Sequence, residues 1–342
     1  MPEQSASPIS NYLLRPTPEE LSNTHVLYLA RHATDFSPER QKKYGYHVVY
    51  HALLLRTLRE LGLKVTPASD FEVLFGPLDF DYLYGIHSHA LFDGHELLAP
   101  SIAAFRGIPF LGAPAPVRAL SEDKVLAKQL AASVGVDVAR HKVIDPLQPD
   151  AADLSMPGTW ILKPRGGIAS DALMKVENES GWREAITAAG DPANEGREFI
   201  AEEFVPGLNL TVPIIEGLPP HSLATFIERG RAGDNLLTKE GKRGQNPDYE
   251  SAPYDGPGAK EASEAAARLA EAISPFDYAR FDFRFDPDRK RLVFLELNIA
   301  CNMSPASVVR RAIHMHGVEY HPLVAHVFTY SLRRQRNQLD IK

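Results

Sequence analysis

Little in this chain would fasten it outside a reducing compartment or hold it in a bilayer. It has one cysteine, Cys301, in 342 residues. That excludes an internal disulfide and a cysteine-based zinc site, and it fits a reducing compartment. No apolar run reaches the roughly 18 residues that a membrane-spanning helix needs. The opening MPEQSASPISNYLLRPTPEE is polar and rich in proline and serine, with no basic stretch ahead of an apolar one. A cytoplasmic protein that uses no membrane is expected, with residues 1–23 as a loose N-terminal arm. Positive charge is in deficit as well. The formal net charge is −7, which argues against a nucleic acid held through its phosphates. There is no internal repeat and no low-complexity tract. What remains is ordinary globular material, 44% hydrophobic and 24% charged, and long enough for two or three domains.

One stretch organises the rest, Tyr278 to Ser307. It reads as two antiparallel strands, Tyr278–Phe285 and Arg291–Leu297, because alternating aromatic, β-branched and polar residues flank the breaker Asp286-Pro287-Asp288-Arg289. Side chains two apart on a strand share a face. Asp282 with Arg284, and Glu296 with Asn298, therefore point together, and pairing the strands gathers three oxygen-bearing side chains. Hard oxygen ligands of this kind suit Mg²⁺ shared with a nucleotide's phosphates. A solvated hairpin whose acids face water reads the same residues equally well.

Upstream, THVLYLA from Thr24 is a short buried strand, RHATDFSPERQKKYG a loop, and HVVYHALLLRTLRELGLKVTPAS a helix that stops at Gly62 and resumes as a strand. The alternation predicts a parallel sheet with ligand loops at the carboxyl ends of its strands. A further strand, DYLYGIHSH, ends in His87 and His89, which either line a site or cap a loop, and IPFLG is another strand. SEDKVLAKQLAASVGV is a helix with Ser121 as N-cap and Asp123 in its first turn. Lys124 and Lys128, four apart, share a face that solvent alone would explain. In TWILKPRGGIASDALMKV a strand carries Lys163 into Gly166-Gly167, a turn that serves either as a phosphate cradle or simply as a hairpin. EFIAEEFVPGLNLTVPII reads as a strand leading to a break at Pro206-Gly207. The segment 228–257 is a long polar loop with Lys239, Lys242 and Arg243, the kind that forms a lid or stays disordered. An Ala-rich helix follows it, and two more helices follow the hairpin.

Taken in order, HSHALFDG, GIPFLG with SEDKVLAK, ILKPRGGIAS, EEFVPGLNLTV, ARFDF, ELNIACNMSPAS and GVEYHPLV resemble the ATP-grasp superfamily, and within it the D-alanine–D-alanine ligase-like branch. The likeness runs from about residue 85 to 330, and more faintly back to residue 25. It implies an α/β fold, α+β in the nucleotide-binding part, with an N-terminal parallel-sheet domain over residues 24–118. A central subdomain would cover 119–205 and a C-terminal subdomain 206–342. It also implies ATP and Mg²⁺ (or Mn²⁺), small-molecule carboxylate and amine substrates, and a homodimer. By resemblance, Lys124 and Lys163 meet the phosphates, and Glu202, Glu203 and Val205 form the hinge beside adenine. Asn209 stands where a ribose-binding glutamate is usual, Asp282, Glu296 and Asn298 are the metal ligands, and Arg280 steadies the transferring phosphoryl group. His87 and Ser307 fall at substrate positions, Lys239 reaches the phosphates from the lid, and Asn302 attends an oxyanion.

The implied chemistry is attack of a carboxylate on the γ-phosphate of ATP, then conversion of the acyl phosphate to an amide by an amine. The departures bear on substrate choice. Cys301-Asn302 replaces a Pro-Gly pair, the lid lacks the usual Ala-Lys-Tyr pattern, and only Ser37 through Arg40 echo the first-substrate loop. An amide ligase with a rebuilt first-substrate pocket in a specialised pathway is the first expectation. D-alanine–D-alanine ligase proper, a non-catalytic nucleotide-binding protein and a phosphotransferase that stops at the acyl phosphate are the alternatives.

Overall fold

The structure, a computed structural model, describes residues 9–77, 79–87, 95–145, 157–166, 173–191, 197–219, 221–230 and 250–339. In chain order the helices are α1 (Pro18–Ser22), α2 (Pro38–Tyr44), α3 (Tyr46–Glu60), α4 (His95–Phe105), α5 (Ala115–Glu122), α6 (Lys124–Ser133), α7 (Glu179–Ala189), α8 (Ala259–Ile273), α9 (Val308–His314) and α10 (Tyr320–Leu339). The strands are β1 (His25–Leu29), β2 (Lys64–Ala68), β3 (Tyr82–Gly85), β4 (His141–Ile144), β5 (Trp160–Pro164), β6 (Met174–Val176), β7 (Phe199–Glu203), β8 (Leu208–Ile215), β9 (Phe226–Arg229), β10 (Glu250–Pro253), β11 (Tyr278–Asp286) and β12 (Arg291–Ile299).

They form three sheets. β2-β1-β3 is parallel, as the strand-helix-strand alternation predicts. β4-β7-β5-β6 and β10-β9-β8-β11-β12 are antiparallel. The five-stranded sheet owes its order to period-two alternation. Phe281, Phe283, Leu210 and Val212 turn to one side and bury against α8, where Ala262, Ala265, Ala266, Leu269 and Ile273 recur at helical spacing. Small residues there let the helix lie close to the strands, and each fully buried phenylalanine contributes about 2 kcal/mol. The opposite side carries Tyr278 and Phe226 into a second core with α3, α9 and α10.

A β-bulge interrupts the hairpin. Asp282 opposes Glu296 and Arg280 opposes Asn298, but Phe283 opposes Phe294, so Leu295 is the extra residue. The chain crosses from the four-stranded to the five-stranded sheet at Pro206-Gly207, where Gly207 has φ +110° and a Cβ would collide with the Phe285 carbonyl oxygen. Only glycine fits that crossing.

Several local expectations change. RHATDFSPERQKKYG is not all loop, since Ser37 caps α2 by accepting from the Arg40 amide. IPFLG makes a single bridge, Leu83 to Phe110, rather than a strand. The helix expected from Ser121 starts at Lys124 with Asp123 as its cap, and Ser121 lies in the last turn of α5, donating to the Arg118 carbonyl. Residues 9–23, expected as a loose arm, are docked. The Leu14 amide donates to His326 Nδ1 at 3.0 Å, and Arg333 pairs with Glu20 at 2.7 Å. No helix among the described residues is long and apolar enough to cross a membrane.

Candidate functional site: a cleft between two antiparallel sheets

β11 and β12 place Asp282, Glu296 and Asn298 on one face, in register. Asp282 is gripped from several sides. Arg280 Nη2 donates to it at 2.8 Å and Nε at 3.0 and 3.2 Å, Thr211 Oγ1 donates from β8 at 3.0 Å, and Asn298 Nδ2 donates at 3.2 Å. Burial disfavours the Arg280 charge, yet Asp282 and Glu228 together hold its guanidinium well above the ordinary range. Among the described residues no group of three or more His, Cys, Asp or Glu side chains is placed to hold a metal. The candidate cation set is therefore two carboxylates and an amide. Hard oxygens with room for phosphate oxygens fit Mg²⁺ better than a softer ion.

The basic side of the cleft comes from β5, β7 and α6. Arg165, just past β5, pairs with Asp123 at 2.7 Å and accepts the Lys124 amide on its carbonyl at 3.1 Å. That fastens the start of α6 to the end of β5 and sets Lys124 beside Lys163. Burial pulls the Lys124 ammonium down to about 8, opposed by Glu296 and reinforced by Lys163. The two lysines and the metal-candidate acid thus share one electrostatic neighbourhood. Glu202 on β7 forms ion pairs with both Lys128 and Lys163. Burial pushes its carboxyl up, but the two ammonium groups outweigh it and leave it at about 2.

Lys128, on the helix face expected to be solvated, is fully buried. Besides Glu202 it donates to the carbonyls of Phe294 and Leu295, at 3.2 and 3.4 Å. It therefore ties the four-stranded sheet to the bulge that re-aims Glu296. The i+4 spacing from Lys124 was the available signal, and charge type alone hid it.

The remaining expected residues take varied places. Glu203, next along β7, points the other way and meets Arg140 at 3.1 Å and Arg291 at 3.5 Å. The Val205 carbonyl accepts from Arg284 Nε. Asn209 is buried, accepting from Arg284 Nη1 at 2.9 Å and donating to the Glu228 carbonyl at 3.2 Å. Asn302 Oδ1 accepts the Ser304 amide at 2.7 Å, and Ser307 Oγ caps α9 by accepting the Arg310 amide at 3.2 Å. His87 lies against Phe71, ring centroids 4.5 Å apart. Lys239, with His89, Gly167, Lys242 and Arg243, lies outside the described residues. Two charged side chains on the Asp282 face went unassigned in the sequence. Arg284 is buried over the Phe204 ring at 4.7 Å, and Glu228 is buried on β9 directly across from Asn209. Both follow the period-two rule, and Glu228 was hidden by reading it as the start of the loop.

Comparison with known proteins agrees with this layout. The D-alanine--D-alanine ligase of Caulobacter sp. (strain K31) is 26% identical over 315 residues, 90% of this chain and 93% of that protein. The crystal structure of D-alanine--D-alanine ligase from Bacillus anthracis matches with a TM-score of 0.71 at 17% identity, covering 92% of this chain and 99% of that one. The same ligase complexed with ATP gives 0.69, also at 17% identity and with the same coverage. At that identity the structures speak for the fold alone, which is ATP-grasp. A family model described as D-ala D-ala ligase C-terminus matches residues 151–329, more than half of the sequence, and the chain belongs to that family.

Proposed function

We propose that this ADP-forming ATP-grasp ligase joins a small-molecule carboxylate to an amine through an acyl phosphate. One observation carries the reading. Asp282, Glu296 and Asn298 stand in register with Arg280 on the first of them, and Glu296 acts electrostatically on Lys124, which in turn feels Lys163. Phosphoryl transfer needs positioning and neutralised charge more than covalent help. Lys124 and Lys163 would receive phosphate oxygens. The backbone around Glu202 to Val205 would border adenine, and Asn209 would face the ribose. Arg280 would donate to oxygens that gain charge as the γ-phosphoryl group moves. Mg²⁺ bound by Asp282, Glu296 and Asn298 would supply charge neutralisation at the phosphates.

The substrate carboxylate attacks the γ-phosphorus of ATP and ADP departs. The amine then attacks the acyl carbon, inorganic phosphate leaves, and the amine proton passes to base. Asn302, Ser307 and His87 would line the substrate end, and Lys239 would approach the phosphates. Residues 24–118, 119–205 and 206–342 are the working division into units, with the helix Lys124–Ser133 shared in packing, since its alanines enter the core of the five-stranded sheet.

The test is ADP release with Mg²⁺ against a matrix of paired D- and L-amino acids and small acids. A product lighter by one water than the summed substrates supports the reading. A matrix silent throughout, with ATP still bound, sinks it in favour of a nucleotide-binding protein. A second reading, D-alanine–D-alanine ligase proper, is favoured by the Caulobacter ligase, which is alike over nearly its whole length. Incubation with D-alanine, ATP and Mg²⁺ decides it, and absence of dipeptide removes it.

A further inference from the structure

Across the five-stranded sheet, Glu296, Asp282, Thr211, Phe226 and Pro253 oppose one another in a single row. Directly opposed residues share a face, and neighbouring strands lie about 4.8 Å apart. The row that holds the candidate cation ligands therefore continues, about 10 Å from Asp282, into Phe226 and Pro253. These two residues wall a cavity of about 350 Å³, closed on its far side by α9 and the loop before it. Pro305 and Met315 complete its apolar lining. The cavity starts beside Ser307, because Arg311 stands four residues on and so lies one turn above it on the same helix face.

The rest of the lining is basic, with Arg310, Arg311 and His314 and, among the described residues, no carboxylate. Two of these already have an acid. Glu319 pairs with Arg310 at 3.0 Å and lies 3.4 Å from His314 Nδ1. Arg311 instead lies across the Phe226 ring at 5.1 Å, and among the described residues it forms no ion pair. A guanidinium spread on an aromatic face keeps its outward N–H groups available for a planar carboxylate. The volume is at the small end for a ligand pocket, enough for one side chain rather than a whole cofactor.

We propose that this cavity receives the side chain of the amine substrate and that Arg311 binds a carboxylate at its end, making the acceptor an acidic amino-acid-type amine. The inference rests on the ligase reading for the word acceptor, while the cavity and its charge stand without it.

Calorimetric titration of the full chain, with ADP and Mg²⁺ present, compares D- and L-glutamate with the matching glutamines. One glutamate enantiomer is expected to bind about ten- to a hundredfold more tightly than its glutamine, the range of one charge-assisted hydrogen bond. R311M should collapse that ratio towards one, R311K should keep part of it, and M315W should weaken glutamate by filling the space. Met315 is half exposed, which makes M315W independent of any folding defect in R311M. Equal binding of glutamate and glutamine to the wild type overturns the proposal, as does an undiminished ratio in R311M together with unweakened glutamate binding in M315W. ADP release with neutral amines but no glutamate preference leaves the ligase reading intact and removes this one. Arg311-dependent glutamate binding with no ADP release from any pair does the reverse.

Discussion

The two walls of the cleft handle buried charge in opposite ways. On the five-stranded sheet a carboxylate, Asp282, is surrounded by donors from Arg280, Thr211 and Asn298. On the four-stranded sheet a carboxylate, Glu202, sits between two ammonium groups, of which Lys128 is fully buried and Lys163 partly open. The first arrangement spreads donors over both oxygens of one carboxylate, with a second carboxylate, Glu296, directly opposite on the next strand. The second leaves one ammonium facing the cleft and locks the other into the fold. Charge near a ligand site is thus of two kinds, exchangeable and structural, and the same residue type serves as both.

Substitutions should separate these kinds. Glu296→Ala removes exchangeable charge, and ADP formation should fall by about two to three orders of magnitude with the circular dichroism spectrum kept. Unaltered turnover would sink the cation assignment. Glu202→Gln strikes the structural kind by leaving the Lys128 ammonium buried without its carboxylate. A loss of about 3 kcal/mol in denaturant unfolding is expected. Its acid response should differ as well. The Glu202 carboxyl sits at about 2 in the fold against an ordinary 4.5. The unfolded chain therefore binds more protons between those values, and the native fold weakens as pH falls through that window. The variant should lose this part of the acid limb, and an unchanged limb would mean that Glu202 is not the group responsible.

Lys163→Met should weaken ATP binding about tenfold, the scale of one charged hydrogen bond, whereas loss of stability without loss of affinity would move Lys163 into the structural class. Smallest should be Glu203→Gln, which breaks contacts to the largely exposed Arg140 and to Arg291. Its unfolding free energy should move by less than about 1 kcal/mol, and a larger shift would show that Glu203 belongs with its neighbour.

The hairpin was legible in the sequence because its alternation is local, with Asp286-Pro287 marking the turn. The face shared by Asp282 and Arg284 followed from period two. Lys128 was not legible. A lysine on a helix gives no sign of what covers it, and its partners lie 74 residues away at Glu202 and 166 and 167 away at the bulge. Ser121 and Asp123 are both good caps, and the choice between them was made by Arg165, a contact across the fold. The docked arm was equally hidden, since its anchors His326 and Arg333 lie at the other end of the chain.

The bulge at Leu295 ties the site to the shape of the backbone as well as to its side chains. Phe294 and Glu296 are two apart and in an unbroken strand would share a side, yet Phe294 is in the core beneath α8 while Glu296 opposes Asp282 towards the cleft. The bulge makes both placements compatible. Deleting Leu295 would make Phe294 and Glu296 neighbours, which regular alternation already sends to opposite sides, so both placements should survive it. What the deletion removes is the Leu295 carbonyl, one of the two that accept from Lys128. The extra residue therefore serves the buried lysine, and through it the joint between the two sheets, rather than the direction of the carboxylate.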